Sequence, residues 1–271
     1  MKFSVLMSLY IKEKVNYFEQ CMESILNQTM LPSEIVIVKD GPITIELEKS
    51  LNNYVKKNAG LYKIVTLPVN RGLGYALSKG VEACTNELIF RMDTDDIAVS
   101  NRFELQLKEF MKDSDLDICG GYITEFEDYL ENVVAIRRVP ISDDDIKTYQ
   151  KRRDSFNHMT VAFKKTAVLK AGNYKSCLLM EDTLLWVNMI MSGAKCSNIP
   201  LSLVNVRVGK DMYKRRGGWD YFVKYKMGRD EVRKTGYISN FDYYYSLLAQ
   251  IIVSLLPNKI RRLVFTKVLH S

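Results

Sequence analysis

"EIVIVKD", residues 34–40, decides the fold class. Ile35, Val36, Ile37 and Val38 form an unbroken apolar run, without the alternation of a strand that has one wet face. Such a run marks a strand of a parallel sheet with helices on both sides. Working outward, strand-like and helix-like segments alternate. FSVLMSLY (3–10) reads as a strand and VNYFEQCMESILNQ (15–28) as a helix with Tyr17, Cys21, Ile25 and Gln28 on one side. Pro32 then breaks the chain. After residue 40 come a helix at 43–58, a strand YKIVTLP (62–68), a helix at 71–84 and a strand ELIFRMD (87–93). This order predicts an α/β fold: a Rossmann-like, mostly parallel, doubly wound sheet with right-handed crossovers.

The second half reads as a smaller, mixed region. A helix at 102–113 precedes strands DICGGYITEF (117–126) and VVAIRRV (133–139), expected to be antiparallel. Ser142 and three aspartates suit the start of a helix at 142–153. TVAFKK (160–165) reads as a short strand, and EDTLLWVNMIMSG (181–193) as a helix closed by Gly193. Helical stretches near 219–235 and 240–256 make a C-terminal tail. No repeat, low-complexity tract or long linker interrupts the chain.

With 271 residues, 47% hydrophobic and 26% charged, the composition is that of a globular protein. Five scattered cysteines, an odd number with no CxxC pair, argue against a disulfide framework or zinc site and for a reducing compartment. The N-terminus has a short apolar run without a small-residue cleavage site, so it reads as a first strand and not a signal peptide. Charge is uneven: residues 1–206 carry 25 basic and 27 acidic side chains, residues 207–271 carry 14 and 5. The basic excess lies in the tail, which suggests a polyanionic partner there: nucleic acid, anionic lipid or phosphate.

Ligands of open parallel sheets gather at the carboxyl ends of the strands. Those ends hold Ser8 and Tyr10, Asp40, Arg71, and the cluster Asp93, Asp95 and Asp96 in "RMDTDD" (91–96). Crowded carboxylates repel one another unless a cation or solvent relieves them. Hard oxygen ligands at alternate positions suit Mg²⁺ or Mn²⁺; the same turn could instead cap the helix that begins near Ser100. In "LLMEDTLLW" (178–186), Glu181 and Asp182 either cap a helix or supply a general base. A P-loop and an HExxH motif are absent. The glycines at 72, 74 and 80 do not complete a dinucleotide loop, since Leu77 stands where its third glycine belongs. With His158 and His270 alone, a histidine-rich metal site is excluded.

In order, SLY (8–10), LNQTMLPSEIVIVKDGP (26–42), NRGLGYALSKGV (70–81), the aspartates at 93–96 and ED (181–182) resemble the inverting family 2 glycosyltransferases of GT-A fold, over roughly residues 2–200. SLYIKEK and YKRRGGW (213–219) most resemble bacterial enzymes that build capsule, exopolysaccharide or O-antigen. The resemblance implies a catalytic domain at 1–208, with a nucleotide-binding half to about residue 100 and an acceptor half after it, and a basic helical extension at 209–271. It implies a UDP-sugar donor, with galactose or glucose preferred, a lipid-linked saccharide acceptor, and Mn²⁺ or Mg²⁺. By position, Tyr10 and the backbone near Ser8 would flank uracil, Asp40 would accept a hydrogen bond from the base, and Arg71 would contact base or diphosphate. Asp93 would lie by ribose and metal, Asp95 would be the main metal ligand, and Asp182 would deprotonate the acceptor. Asp96 and Glu181 would support them, and His158 falls near the acceptor. Many relatives have asparagine after the first-motif aromatic, where this chain has Ile11.

The tail stays open in this reading. Lys214, Arg215 and Arg216 could close over the donor diphosphate, grip an acceptor pyrophosphate, or lie in solvent. YYYSLLAQIIVSLLP (243–257) is too short to span a membrane, which takes about 20 apolar residues. With the basic segment after it, it suits either an amphipathic helix pair on the anionic inner face of a cell membrane or a helix closing the core. The enzyme is thus expected to be cytoplasmic and peripheral. Two rivals are a nucleotidyltransferase, which would want a glycine-rich basic loop after the first strand, and a non-catalytic polyanion-binding module. The acidic first part and both carboxylate sites argue against nucleic acid as the main partner.

Overall fold

A computed structural model describes residues 1–177, 179–209 and 216–264. The first half alternates β1 (Phe3–Leu9), α1 (Val15–Leu26), β2 (Glu34–Lys39), α2 (Ile45–Lys57), β3 (Tyr62–Thr66), α3 (Leu73–Ala83) and β4 (Leu88–Arg91). The second half holds β5 (Ile97–Ala98), α4 (Arg102–Lys112), β6 (Leu116–Phe126), β7 (Val133–Arg137), α5 (Asp143–Gln150), β8 (Ala162–Lys164), α6 (Lys165–Lys170), α7 (Glu181–Met191) and β9 (Lys195–Arg207). Helices α8 (Trp219–Lys234), α9 (Asn240–Leu255) and α10 (Asn258–Val264) follow.

One sheet in the order β3-β2-β1-β4-β8-β6-β9-β5 runs through the described residues, with β7 beside β6. Strands β3, β2, β1 and β4 are parallel, as expected. Beyond β4 the sheet is mixed: β8 runs antiparallel to both β4 and β6, β7 antiparallel to β6, and β9 parallel to β6. "Mostly parallel" therefore describes the first half of the sheet only. Strands β5 and β9 are additions to the sequence reading, and α1 buries Phe18, Cys21, Met22 and Ile25 where Tyr17 was expected on the inner face.

β2 explains the two-sided core. Ile35 and Ile37 face α1, α2 and α4, while Val36 and Val38 face α3 and α7, and all four are buried. Each such side chain contributes about 1.5–3 kcal/mol. Gly80 lets α3 lie close on this face, since a Cβ there would sit 2.2 Å from Leu6 Cδ1. A third cluster joins Leu184 and Val187 of α7 to Val232 of α8 and Tyr243 of α9. The tail thus closes the core with one face of α9. Its other face leaves Phe241, Tyr244, Tyr245, Leu248, Ile252 and Leu255 exposed. No helix among the described residues is long and apolar enough to cross a membrane.

Candidate active site

The parallel half brings Ser8, Tyr10, Asp40, Arg71 and the 93–96 turn to one sheet edge. Asp40 is buried, and its carboxylate accepts the amides of Arg71 at 2.7 Å and Gly72 at 3.0 Å. Gly72, the N-cap of α3, carries no side chain to do this, so the aspartate at the end of β2 caps α3 from across the sheet. Gly41 next to it has φ +84 and lies so near the 69–70 backbone that a Cβ would meet Asn70 N at 2.6 Å. These contacts present Arg71 outward, its guanidinium 4.6 Å from the Tyr75 ring. Tyr10, which follows the last residue of β1, is 40% exposed.

The acidic cluster forms as the sequence suggests. Carboxylate oxygens of Asp93, Asp95 and Asp96 lie within 4.8 Å of one another. Burial, then Asp93 and Glu13, push Asp95 up to about 7, and burial, then Asp95 and Asp93, push Asp96 well up. A divalent cation relieves such a site, and its all-oxygen donor set fits Mg²⁺ or Mn²⁺. The three aspartates differ. Asp96 is buried and accepts the amide of Arg207 at 3.0 Å, tying the turn to β9. Asp93 is ion-paired to the buried guanidinium of Arg91. Thr94 donates to Glu13 and, at 3.5 Å, to the carbonyl of Ser8, fixing the turn against the end of β1.

Glu181 and Asp182 occupy the first turn of α7, where the helix dipole favours negative charge. Burial nevertheless dominates: with Asp154 and Glu181 nearby, it pushes Asp182 up to about 7. Glu181 is also raised by burial. Thr183 donates its hydroxyl to Asp154, which brings a third carboxylate to this group. His158 Nδ1 stands 3.8 Å from Asp182 Oδ2, and Nε2 lies 2.9 Å from the Tyr174 hydroxyl. Burial, then Arg91, hold the imidazole pKa well below its usual value, so the ring is neutral. The tautomer with its proton on Nδ1 would face that proton to the carboxylate and leave Nε2 to accept from the Tyr174 hydroxyl; the other would aim a lone pair at Asp182. Trp186 packs edge-on against the imidazole, with ring centroids 5.7 Å apart.

The buried charge of Arg91, paired with Asp93, also acts on Asp96, Glu181, Asp182 and His158, so both acidic groups lie within its electrostatic reach. Glu181 also lines a cavity of about 300 Å³ with Arg71, Gly72, Gly74 and Cys177. The two acidic groups thus flank the mouth of the sheet edge. Arg216 lies just before α8, within the field at Tyr221 that Asp154 and Asp182 share. Arg215 lies outside the described residues. Glu13, Arg91, Asp154 and Tyr174 were not singled out from sequence. Arg91 was inside the quoted acidic motif, whereas Asp154 and Tyr174 carry no local signal and join the site through tertiary contacts alone.

Comparison with known proteins gives the family and the fold. The family model described as glycosyl transferase family 2 matches residues 4–172. A glycosyltransferase of Haemophilus influenzae is 43% identical over 84% of this chain and 87% of its own length. The amylovoran biosynthesis glycosyltransferase AmsE of Erwinia amylovora is 37% identical over 98% of each chain. An Escherichia coli enzyme, UDP-Gal:alpha-D-GlcNAc-diphosphoundecaprenol beta-1,3-galactosyltransferase, is 36% identical over 99% of this chain and 97% of its own. Among solved structures, Staphylococcus aureus TarS with UDP-GlcNAc superposes with TM-score 0.64 at 16% identity, covering 98% of this chain and 74% of that one. The Pyrobaculum calidifontis mannosyltransferase PcManGT, with GDP-Man and Mn²⁺, gives TM-score 0.64 at 14% identity, covering 96% and 72%. These structures carry the fold, GT-A, and the sequence matches carry the family, which sets aside the nucleotidyltransferase and the non-catalytic module. The chain belongs to glycosyl transferase family 2 and is a glycosyltransferase.

Proposed function

We propose that this enzyme moves a hexose, galactose or glucose, from a UDP-sugar to a hydroxyl of a lipid-linked saccharide in surface polysaccharide synthesis, with inversion. One observation carries the reading: a cation-type carboxylate cluster and a carboxyl raised to about 7 both lie within the electrostatic reach of buried Arg91. The similarity to the galactosyltransferase over nearly the full length of both chains supports the substrate classes.

Uracil is assigned to the strand ends that carry Ser8, Tyr10 and Asp40, with Arg71 contacting base or diphosphate. Asp95 would be the main ligand of Mn²⁺ or Mg²⁺ and Asp93 its donor-side partner. Asp96 supports them by holding the turn. When bound, the ion supplies charge neutralisation to the diphosphate. On the other side Asp182 is the general base. Its carboxylate takes the acceptor O–H proton as the oxygen forms a bond to the anomeric carbon. The bond from that carbon to the diphosphate oxygen breaks, and its electron pair leaves with UDP. Attack opposite the leaving group turns an α-linked donor into a β-linked product. A carboxylate with pKa near the working pH suits this task. His158 and Tyr174 orient it, and Glu181 lies toward the donor cavity. Residues 1–208 form the catalytic part in this reading, and 209–271 a basic helical extension on the acceptor side.

The exposed apolar side of α9 supports a peripheral place on the cytoplasmic face of the membrane. Leu248→Glu with Ile252→Glu should abolish co-sedimentation with phosphatidylglycerol vesicles; unaltered binding would refute that placement. The transfer reading is tested by a panel of UDP-sugars with Mn²⁺, scored by thermal shift and UDP release. One UDP-hexose should stabilise the protein in a metal-dependent way, and silence from every member would overturn the donor assignment.

A further inference from the structure

Between the base-side carboxylates and the exposed face of α9 lies a basic turn that the reaction above leaves unused. Lys151, Arg152 and Arg153 follow α5 directly, and all three are exposed. On one flank, the next residue, Asp154, accepts from Thr183, the neighbour of Asp182. On the other, the Arg152 guanidinium lies 5.1 Å from the Phe241 ring centroid and 5.0 Å from that of Tyr245. Its Nε also donates to Asp242 at 2.6 Å, and Asp242 belongs to the capping box of α9. From α8, buried Arg229 donates to the Lys151 carbonyl at 2.8 Å. The turn is therefore held from three sides: α7, α8 and α9.

Order along this surface is the informative feature. A carboxylate comes first, then cations, then apolar rings and aliphatic side chains from Phe241 to Leu255, a run of about 21 Å at the helical rise. A saccharide joined through a diphosphate to a hydrocarbon chain has hydroxyl, anion and apolar tail in the same order. Arginine and lysine donate charge-assisted hydrogen bonds to phosphate oxygens. Asp242 is taken up by Arg152 and by Ser239 of its own cap, and Asp154 by Thr183.

We propose that the Lys151–Arg153 turn binds the diphosphate of the lipid-linked acceptor, with the saccharide at Asp182 and the hydrocarbon chain on the exposed face of α9. This rests on the lipid-linked acceptor of the reading above. The same cations would also attract lipid headgroup phosphates, so the test separates the two sources.

The probe is undecyl diphosphate, titrated calorimetrically into the full chain in neutral detergent, where no anionic lipid competes. Wild type should bind it, and Lys151→Gln with Arg153→Gln, which spares the Arg152–Asp242 pair, should weaken binding about tenfold. Arg152→Gln gives a second, independent variant. Undecyl monophosphate should bind more weakly than the diphosphate and lose less in the variants. Failure of wild type to bind, or equal affinity in wild type and both variants, overturns the proposal. So does a variant that loses phosphatidylglycerol vesicles but keeps undecyl diphosphate, which would assign the turn to headgroups. UDP release with the sugar panel is read in parallel. Metal-dependent donor response in all variants leaves the transfer reading standing whatever the titration shows, and its absence in wild type sinks that reading alone.

Discussion

Asp93, Asp95 and Asp96 share one turn of backbone, whereas Asp154, Glu181 and Asp182 are gathered from two segments by tertiary packing. Both groups are crowded and both hold a carboxyl raised to about 7. Their surroundings differ. The first opens between strand ends, anchored by Arg207, Thr94 and Arg91, and offers several oxygens to one point. The second backs onto His158, Tyr174 and Trp186, and the partner 3.8 Å from Asp182 is a neutral imidazole. Charge concentration alone therefore does not define a role. Oxygens converging on a point suit an ion, while a desolvated carboxyl beside a neutral imidazole suits proton transfer.

Breaking the first group should cost most. Asp95→Asn should remove metal-dependent UDP binding and lower kcat/KM by about a hundred- to a thousandfold, the range for losing a charge-stabilising group. Calorimetry with and without Mn²⁺ checks this, and retained metal dependence would exchange the roles of Asp95 and its neighbours. pH should separate the groups next. Below about 7 the Asp182 carboxyl is protonated and cannot accept the acceptor proton. Turnover at saturating donor and metal should thus fall tenfold per unit as pH drops below that value, with no loss from this group above it. Asp182→Glu should shift this limb, and an unshifted limb would assign it elsewhere. The smallest effect should come from the orienting chain. His158→Leu should lower kcat about tenfold with donor KM unchanged, His158→Asn should recover part of it by donating from the Nδ1 position, and Tyr174→Phe should fall between wild type and His158→Leu.

The same contrast explains what could be read from sequence. β1 to β4 and the helices between them were legible because each strand is short, apolar and bounded by breakers, and each pairs with near neighbours in the chain. β9 was not. Ser197, Asn198, Ser202 and Asn205 interrupt its apolar positions, and Pro200 argues against a strand. A register shift opposite Gly121 and Tyr122 accommodates the proline, and only the structure reveals it. At the site, the aspartates at 93–96 announce themselves because they act within one turn. Asp40 was legible as a site residue, but its capping of α3 was not, since Gly72 lies 32 residues away. Arg91, Asp154 and Tyr174 acquire meaning only when β4, the turn after α5 and the segment before α7 come together.

The division of labour between the two groups is tested most directly by Asp182→Asn, measured for donor binding and for transfer in the same preparation. Mn²⁺-dependent UDP affinity should stay within about twofold of wild type while sugar transfer falls by about a hundred- to ten-thousandfold, the contribution of a general base. Loss of both together, or transfer at the wild-type rate, would contradict the assignment of Asp182 as the base.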